Sequence, residues 1–193
     1  MVQRPGGADF APGAWVFPGG AVQEDDRAWE DETRGAALRE LFEEAGILLA
    51  RGARDPDCAR VMRELERGVS FGEALQKAGL QLDFDGLVMF ARWVTPSLLR
   101  RRFDARFYLA RMPDGQTVRQ QEGEVTNWMW ISPSRALADG DVTLVYATRA
   151  VLETVALESK ASNLFEWARG LIEIPIVEPR LVHTDTGWEI ARD

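Results

Sequence analysis

Four segments of the chain have the residue pattern of helices, and the first of them is the clearest. Residues 33–45 contain no proline, consist mainly of Ala, Leu, Arg and Glu, and are followed by Gly46. These four residue types favour helices, and glycine commonly ends a helix in a left-handed conformation. The pattern predicts one helix of about three turns, with Thr33 capping its start.

Residues 55–82 also have a helical pattern, in which Ser70 and Glu73 have the spacing of a capping box. A short helix is predicted over residues 134–138 and a longer amphipathic helix over residues 144–168.

Strand patterns lie around these helices, because apolar runs and apolar-polar alternation recur there. Helices and strands mixed in this order predict an α+β, or mixed α/β, fold with helices packed on a sheet. The length suits a single domain over residues 1–193. Strands are predicted at residues 14–17, 87–95, 103–110 and 125–131, and an extended tail over residues 171–193.

Composition narrows the class of protein. The 193 residues are 46% hydrophobic and 28% charged, as in soluble globular proteins. A net charge of -8 argues against a general nucleic-acid-binding protein, because phosphate affinity needs clustered cations. No apolar stretch approaches the roughly 20 residues that cross a bilayer, and the N-terminus lacks a secretory pattern. We therefore expect a cytoplasmic protein without membrane association.

The chain has one cysteine, Cys58, and one histidine, His183. A single cysteine excludes an internal disulfide and a multi-cysteine zinc site. A single histidine excludes paired-histidine sites, and it excludes Ser-His catalysis unless His183 is itself the base. Catalysis would therefore fall to carboxylates and arginine.

Three carboxylates share one face of the first predicted helix. Glu40 lies one turn before Glu43 and Glu44, at the spacing that makes helix side chains neighbours. Like charges at this spacing repel by about a few tenths of a kcal/mol per pair, and a divalent cation would relieve that repulsion. Mg²⁺ or Mn²⁺, which prefer hard oxygen ligands, would fit such a cluster facing a diphosphate.

A Glu-x-x-Glu-Glu sequence is also common on solvated helix faces, so the surrounding residues decide between the two interpretations. Gly19 and Gly20 follow a predicted strand and interrupt the regular structure there. Arg39 immediately precedes the first carboxylate, and Gly46 ends the helix. This combination favours a metal site.

Residues 39–47 read Arg-Glu-Leu-Phe-Glu-Glu-Ala-Gly-Ile. The segment resembles the signature of the Nudix hydrolases and matches its second half without a mismatch. The first half departs from the family pattern: five residues separate Gly20 from Asp26, where Glu is usual, and twelve rather than seven separate Asp26 from Arg39. In the family this arginine supports catalysis. We expect it to point away from the metals and to pair with an acid of the preceding loop, either Asp26 or Glu32.

Further segments resemble the Nudix branch with an interrupted box, which includes acyl-coenzyme A diphosphatases. The likeness covers roughly residues 4–155, and Trp29 lies within the interruption. The segments that carry it are residues 15–20, 42–49, 93–96, 102–107 and 128–133.

The resemblance implies a Nudix-type α/β/α sandwich with a mixed sheet and an extra helical insertion around residues 55–82. Only residues 1–4 stand where the first strand of that fold usually ends. Either the chain starts late, or the sheet lacks most of an edge strand. A missing strand would leave unpaired backbone groups at which two copies could associate as a homodimer.

The resemblance also implies an enzyme, a diphosphatase acting on phosphoric anhydrides, in which water attacks phosphorus at a site with Mg²⁺ or Mn²⁺. Glu40 and Glu44 would be the principal metal ligands, and Glu43 would be a further ligand or would orient the water. Nudix enzymes also tend to recruit a Glu from a later loop as ligand or base. Glu124 is the first candidate and Glu122 the second; alternatively, both are solvated turn residues.

Coenzyme A or an acyl-coenzyme A is the favoured substrate by this resemblance, with 3',5'-ADP and (acyl-)4'-phosphopantetheine as products. ADP-ribose, NADH and nucleotide sugars are the alternative small-molecule substrates. A non-catalytic nucleotide-sensing Nudix module is the alternative of another class.

Two features would contact the substrate. Gly19 and Gly20 would let the backbone approach the metal and the diphosphate closely. Coenzyme A carries an additional 3'-phosphate, for which the forked guanidinium groups of Arg102 and Arg106 would be suitable partners. The alternative is that the basic run at residues 100–102 is a solvated hairpin tip.

Overall fold

The computed structural model describes residues 1–98, 102–120, 125–184 and 187–191. Its helices are α1 (Glu32–Ala45), α2 (Asp55–Glu66), α3 (Phe71–Ala78), α4 (Pro133–Ala138), α5 (Tyr146–Val155) and α6 (Ala161–Arg169). Its strands are β1 (Val2–Gln3), β2 (Trp15–Val16), β3 (Val88–Val94), β4 (Asp104–Leu109), β5 (Asn127–Trp128), β6 (Ile176–Val177), β7 (Arg180–Thr184) and β8 (Gly187–Ala191). Two 3-10 turns are also present: Asp25–Ala28, which we name the insertion turn, and Phe84–Gly86.

The chain divides into two compact units. Unit one contains α1 to α3 and strands β1, β2 and β5, whereas unit two contains the remaining helices and strands. The prediction of a single domain stays a prediction. Unit one consists of Met1–Leu87, Arg111–Ser132 and Asp139–Val145, and unit two of Val88–Ala110, Pro133–Ala138 and Tyr146–Asp193.

Unit one has a three-stranded antiparallel sheet with the order β2-β1-β5. Val2 of β1 is opposite Val16 on one side and Trp128 on the other, and its side chain is buried. The first strand is therefore the middle strand of this sheet. The expectation that it lies at an edge is wrong, because β1 is paired on both sides.

The predicted first helix is confirmed as α1, but its cap is Asp31 and not Thr33. The Asp31 carboxylate accepts hydrogen bonds from the N–H groups of Thr33 and Arg34, both at 3.1 Å. Burial tends to raise the pKa of Asp31, but the hydrogen bond from the Thr33 hydroxyl, the two backbone hydrogen bonds and the charge of Arg34 outweigh it and hold that pKa below its ordinary value. At the other end Gly46 is left-handed, with φ 69°, and its N–H donates to the carbonyl oxygen of Phe42 at 2.8 Å.

The predicted helical segment at residues 55–82 consists of α2 and α3. Ser70 caps α3 by accepting a hydrogen bond from the N–H of Glu73 at 3.4 Å, as the capping-box spacing predicts. Gly79 ends α3 in the left-handed region, with φ 69°.

The two ends of this helical segment meet, because Ala50 and Leu82 form an antiparallel bridge. The buried side chain of Gln116 lies at the same junction. Its amide exchanges two hydrogen bonds of 2.8 Å with the backbone of Leu48 and donates a third, of 3.0 Å, to the carbonyl oxygen of Ala53. The junction is therefore held by backbone pairing and by one side chain from a distant part of the sequence.

Unit two has a mixed sheet with the order β4-β3-β6, in which β3 is antiparallel to β4 and parallel to β6. Two buried aromatic residues of β3 pack on helices. Phe90 contacts Trp167 of α6 with ring centroids 6.1 Å apart, and Trp93 contacts Tyr146 of α5 at 6.0 Å. The helix predicted over residues 144–168 is thus two helices, because the chain leaves the helical conformation between α5 and α6.

Helices, strands and a mixed sheet together confirm the predicted α+β class. The predicted strand at residues 125–131 is shorter than expected and is confined to β5. The predicted extended tail forms β6 and the antiparallel hairpin of β7 and β8. Within the part of the chain that the structure describes, no helix combines the length and apolarity needed to cross a membrane.

Candidate active site

Arg39 is the centre of a buried ion-pair network in unit one. Its Nε and Nη2 atoms donate to the two carboxylate oxygens of Asp26, each at 3.0 Å. Its Nη1 atom donates to Glu40 Oε1 at 2.8 Å and to Glu43 Oε2 at 2.6 Å, and Nη2 also donates to the carbonyl oxygen of Ala21 at 3.0 Å. The side chains of Arg39 and Asp26 are only 3% and 1% exposed. One guanidinium therefore joins the insertion turn to the carboxylates of α1.

The charge of Arg39 is maintained by these partners. Burial alone would lower the pKa of Arg39, but the hydrogen bonds to Asp26, the charge of Glu40 and the hydrogen bonds to Glu40 and Glu43 raise that pKa well above its ordinary value. Glu43 follows Arg39 by four residues, so the helix itself places the two side chains one turn apart. Arg39 therefore stays a cation in a buried position.

Asp26, and not Glu32, is the loop acid that pairs with Arg39. The N–H of Gln23 donates to Asp26 Oδ2 at 2.8 Å and helps to orient that carboxylate. Glu32 instead lies 3.8 Å from Arg27 on the exposed surface. Pairing with an acid of the preceding loop is thus confirmed. Asp26 occupies Nε and Nη2, so Nη1 is directed at Glu40 and Glu43 of α1. The expected orientation of Arg39 away from the metals stays a prediction.

The Gly19-Gly20 turn contacts two carboxylates of α1. The N–H of Gly19 donates to Glu44 Oε2 at 3.0 Å. Gly20 lies directly against the carboxylate of Glu40, so that a Cβ atom added to Gly20 would overlap it. Glycine is required at position 20 for this close approach. The two glycines thereby contact both Glu40 and Glu44, which are one helical turn apart in α1.

These carboxylates have the chemistry of a divalent metal site. Among the residues described, no three acidic, histidine or cysteine side chains are already arranged as a metal cluster. The donor set nevertheless fits Mg²⁺ or Mn²⁺, because Glu40, Glu43 and Glu44 offer hard oxygen atoms and Gly20 leaves Glu40 the space that a larger residue would fill. Arg39 offsets part of the repulsion between the carboxylates, which is the repulsion that a divalent cation would also relieve.

Arg102 and Arg106, the predicted phosphate partners, belong to unit two. Arg106 Nη2 lies 3.9 Å from Asp104, and Arg102 Nη2 lies 3.5 Å from Glu178. Arg102 also donates from Nε to the carbonyl oxygen of Thr95 at 3.2 Å. Each of these arginines therefore has a carboxylate neighbour, and their contact with substrate stays a prediction.

Asp104 makes its shortest hydrogen bonds with Arg92, on the neighbouring strand. Arg92 Nε donates to Oδ1 at 2.7 Å and Nη2 donates to Oδ2 at 2.6 Å. The Arg92 hydrogen bonds, together with the charge of Arg106, lower the pKa of Asp104 despite a smaller opposing effect of burial. Both partners are partly exposed, at 33% for Arg92 and 41% for Asp104.

Four residues singled out in the sequence lie outside the described residues: Glu122, Glu124, Arg100 and Arg101. The role of Glu124 as ligand or base therefore stays a prediction. Sequence reasoning also missed two backbone groups of the site, the carbonyl of Ala21 and the N–H of Gln23. Every residue carries a backbone carbonyl and every residue except proline carries a backbone N–H, so no side-chain pattern could have identified these groups.

The chain is similar to a known family, to curated relatives and to a solved structure. Residues 30–145 match the family model described as the NUDT19 Nudix domain. A protein named putative nudix hydrolase 7 from Caenorhabditis elegans is 32% identical over 142 residues, which cover 71% of this chain and 47% of that protein. Acyl-coenzyme A diphosphatase NUDT19 from Xenopus laevis is 24% identical over 203 residues, covering 72% of this chain and 53% of that protein. The chain spans about half the length of these curated relatives.

A solved structure is similar over most of the chain. The crystal structure of a NUDIX hydrolase from Alicyclobacillus acidocaldarius has a TM-score of 0.71 and 27% sequence identity, and the match covers 86% of both chains. The family match and the structural match agree with the resemblance that residues 39–47 carry. The chain belongs to the Nudix hydrolases, in the family described as the NUDT19 Nudix domain.

Proposed function

We propose that the chain is a metal-dependent diphosphatase that hydrolyses coenzyme A or an acyl-coenzyme A to 3',5'-ADP and (acyl-)4'-phosphopantetheine. The observation that carries this proposal is the contact of one glycine turn with two carboxylates: Gly19 with Glu44 and Gly20 with Glu40. Hard oxygen donors beside a glycine turn suit a diphosphate that binds together with a divalent cation.

Nudix hydrolases generally use divalent metal ions, and Glu40 and Glu44 are the residues that would hold such an ion here. Mg²⁺ or Mn²⁺, when bound, would supply acidity to a water molecule and neutralise charge on the phosphoryl oxygens. The contribution of the chain is to hold its oxygen donors in place before the substrate arrives. The support for this is that Gly19 and Gly20 each contact one of the two carboxylates.

Glu43 would orient the attacking water or add a further ligand, because Arg39 holds one of its oxygens at 2.6 Å. Glu124 is proposed as the base that accepts a proton from that water. In the overall reaction the oxygen of one water bonds to one phosphorus, and the bridging oxygen leaves with the other phosphate. The protons of the water pass to the base and the solvent, and two phosphate monoesters result.

The choice of coenzyme A rests on the relatives. The Xenopus laevis relative is named an acyl-coenzyme A diphosphatase, and the matching family model has the same NUDT19 description. Arg102 and Arg106 are proposed for the 3'-phosphate. Their present partners Glu178 and Asp104 are partly exposed, and exposed ion pairs contribute only about 0–1 kcal/mol, so a phosphate could replace them at little cost.

A substrate panel tests the proposal. Purified protein with Mg²⁺ or Mn²⁺ is incubated with coenzyme A, an acyl-coenzyme A, ADP-ribose, NADH and a nucleotide sugar, and the products are identified by mass spectrometry. We expect 3',5'-ADP with a phosphopantetheine compound from the first two. Products from ADP-ribose, NADH or the nucleotide sugar alone would replace coenzyme A by that substrate, and no product from any of them would refute the proposed hydrolysis.

The matched variants Glu44→Gln and Glu158→Gln test the metal ligand. Glu44→Gln removes one charged donor, so kcat should fall about 100-fold or more while the melting temperature changes little. Glu158 is an exposed carboxylate of unit two, and Glu158→Gln should retain the wild-type rate. Equal rates for the two variants would exclude Glu44 from the reaction.

The 3'-phosphate contact has a separate test that compares coenzyme A with dephospho-coenzyme A, which lacks this phosphate. If Arg102 and Arg106 bind the 3'-phosphate, then Arg102→Ala and Arg106→Ala should raise KM for coenzyme A and leave KM for dephospho-coenzyme A unchanged. A parallel change for both substrates would mean that the arginines act elsewhere.

A further inference from the structure

Trp29 connects the interruption of the Nudix box to two helices. A Cβ atom added to Gly35 of α1 would overlap Cδ1 of the Trp29 indole and would lie 3.0 Å from its Cγ. A Cβ atom added to Gly72 of α3 would lie 3.6 Å from Cζ2 of the same ring. The indole also contacts Phe84, with ring centroids 5.8 Å apart. The ring therefore lies directly on the backbone of α1 and next to α3.

The insertion turn is part of unit one, and among its described ion pairs one is buried and two are exposed. Asp26 binds Arg39 in the buried network described above. The ion pair of Arg27 with Glu24 is exposed, with side chains 61% and 84% accessible, and such pairs contribute little. A cavity of about 290 Å³ borders Asp25, Asp26 and Trp29, so the turn is not tightly packed on that side. The contact of the Trp29 indole with Gly35 is therefore a second restraint on the turn, beside the Asp26–Arg39 pair.

We propose that Trp29 is a positioning residue of the Nudix site. Its ring packs on Gly35 and fixes the position of the insertion turn, so that Asp26 binds the guanidinium of Arg39. Arg39 in turn orients the carboxylates of Glu40 and Glu43. An interruption of five residues would otherwise leave the loop acid loosely placed, and Trp29 compensates for it. The inference rests on the proposed metal-binding role of these carboxylates, but not on the identity of the substrate.

A double-mutant cycle on metal affinity tests this chain of contacts. Mn²⁺ binding to the metal-free full-length protein is measured by calorimetry for the wild type, Trp29→Ala, Asp26→Asn and the double variant. Removing a residue that orients metal ligands typically weakens binding about 10–100-fold, so each single variant should lose about 10-fold or more. If Trp29 acts through Asp26, the double variant should bind Mn²⁺ about as weakly as Asp26→Asn alone. Losses that multiply in full would overturn the inference.

Two glycine variants test the packing of the indole ring on the helices without altering Trp29. Gly35→Ala should displace the indole and weaken Mn²⁺ binding about as much as Trp29→Ala, although alanine favours a helix more than glycine does. Gly72→Ala is the matched control, because a Cβ there makes an ordinary contact with the same ring and should leave Mn²⁺ binding unchanged. Equal Mn²⁺ affinities for both variants would overturn the inference.

The conservative variant Trp29→Phe retains an aromatic ring and should recover most of the Mn²⁺ affinity lost in Trp29→Ala. Thermal unfolding of every variant identifies any loss of Mn²⁺ affinity that comes from unfolding alone. Unchanged Mn²⁺ affinity in a folded Trp29→Ala protein would refute this inference alone. If the Mn²⁺ affinities follow the expected cycle but coenzyme A is not hydrolysed, only the proposed substrate is refuted. If the wild type binds no Mn²⁺, the metal site and this inference are refuted together.

Discussion

Two arginine-carboxylate pairs of similar geometry lie in the two units, and they differ mainly in burial. Arg39 and Asp26 in unit one form two hydrogen bonds of 3.0 Å with side chains that are 3% and 1% exposed. Arg92 and Asp104 in unit two form two bonds of 2.7 and 2.6 Å, but their side chains are 33% and 41% exposed. The pair with the shorter bonds is the one that water reaches.

Bond length is therefore a poor guide to what each pair contributes. An exposed ion pair exchanges water contacts for protein contacts and contributes about 0–1 kcal/mol. In a buried pair both ions have lost their water. Removal of one partner therefore leaves the other charge buried and unpaired, which lowers the free energy of unfolding by about 3–5 kcal/mol. The Arg39 network should thus be sensitive to every change, whereas the Arg92 pair should tolerate many.

The largest expected difference is between Arg39→Ala and Arg92→Ala. Arg39→Ala leaves the buried carboxylate of Asp26 without its cation, so the free energy of unfolding should fall by about 3–5 kcal/mol. Arg92→Ala, the matched exposed variant, should lose about 1 kcal/mol or less. Urea unfolding at pH 7 measures both. Similar losses in the two variants would show that burial does not separate the pairs.

A second variant changes the packing of the buried carboxylates without removing a charge. In Gly20→Ala the new methyl group meets the carboxylate of Glu40, which must move. We expect kcat to fall about 10–100-fold, with a loss of unfolding free energy below about 1 kcal/mol, because the end of a glutamate side chain can shift. Gly19→Ala is the matched control with a smaller expected loss. Its Cβ meets no described atom within 4 Å, and its N–H can still donate to Glu44.

The pH dependence of the exposed pair should be small and of known sign. Arg92 lowers the pKa of Asp104 from its ordinary value of 3.8, so the folded state favours the charged carboxylate. The stabilisation is complete well above pH 3.8 and is lost as the pH falls through the lowered pKa. Wild type and Asp104→Asn should therefore differ by at most about 1 kcal/mol at neutral pH, and less in acid. Urea unfolding between pH 7 and pH 3 measures this; a difference that grows in acid would contradict it.

Salt should produce the smallest effect. Added KCl weakens interactions between exposed charges, because the Debye length falls from about 10 Å at 0.1 M to about 3 Å at 1 M ionic strength, whereas buried pairs are screened much less. The loss of stability in Arg92→Ala should therefore shrink by a few tenths of a kcal/mol at high salt, about the size of an exposed pair. The loss in Arg39→Ala should be the same at low and high KCl. Denaturant unfolding with urea keeps the ionic strength under control, and equal salt sensitivity would remove the distinction.

Local patterns predicted the parts of the fold that local contacts determine. The helix α1, the cap at Ser70 and the left-handed Gly46 follow from residues a few positions apart. The position of β1 in the middle of its sheet could not be predicted, because its partners come from distant segments. The helix predicted over residues 144–168 was too long, since the apolar spacing did not reveal where the chain leaves the helix.

The same distinction applies to the candidate site. Helical spacing was enough to place Glu40, Glu43 and Glu44 on a common face, and family resemblance reduced the loop partner of Arg39 to two acids. The selection of Asp26 over Glu32 depends on the burial of the Asp26 side chain, which is a tertiary property. Because Asp26 occupies Nε and Nη2 of Arg39, Nη1 is directed at α1. Residue spacing along the sequence could therefore reveal neither the choice of Asp26 nor the direction of Nη1.

The junction of Ala50 and Leu82, with Gln116 beside it, also bears on how the chain tolerates changes in length. Because the two ends of the α2-α3 segment are already joined, residues added between these helices lengthen a closed loop without moving its ends. The entropy of closing a flexible loop grows only with the logarithm of its length, at about 0.6 kcal/mol for each doubling. The link between α2 and α3 is therefore a place where this Nudix chain can gain or lose residues while the end of α1, and the carboxylates before it, keep their position.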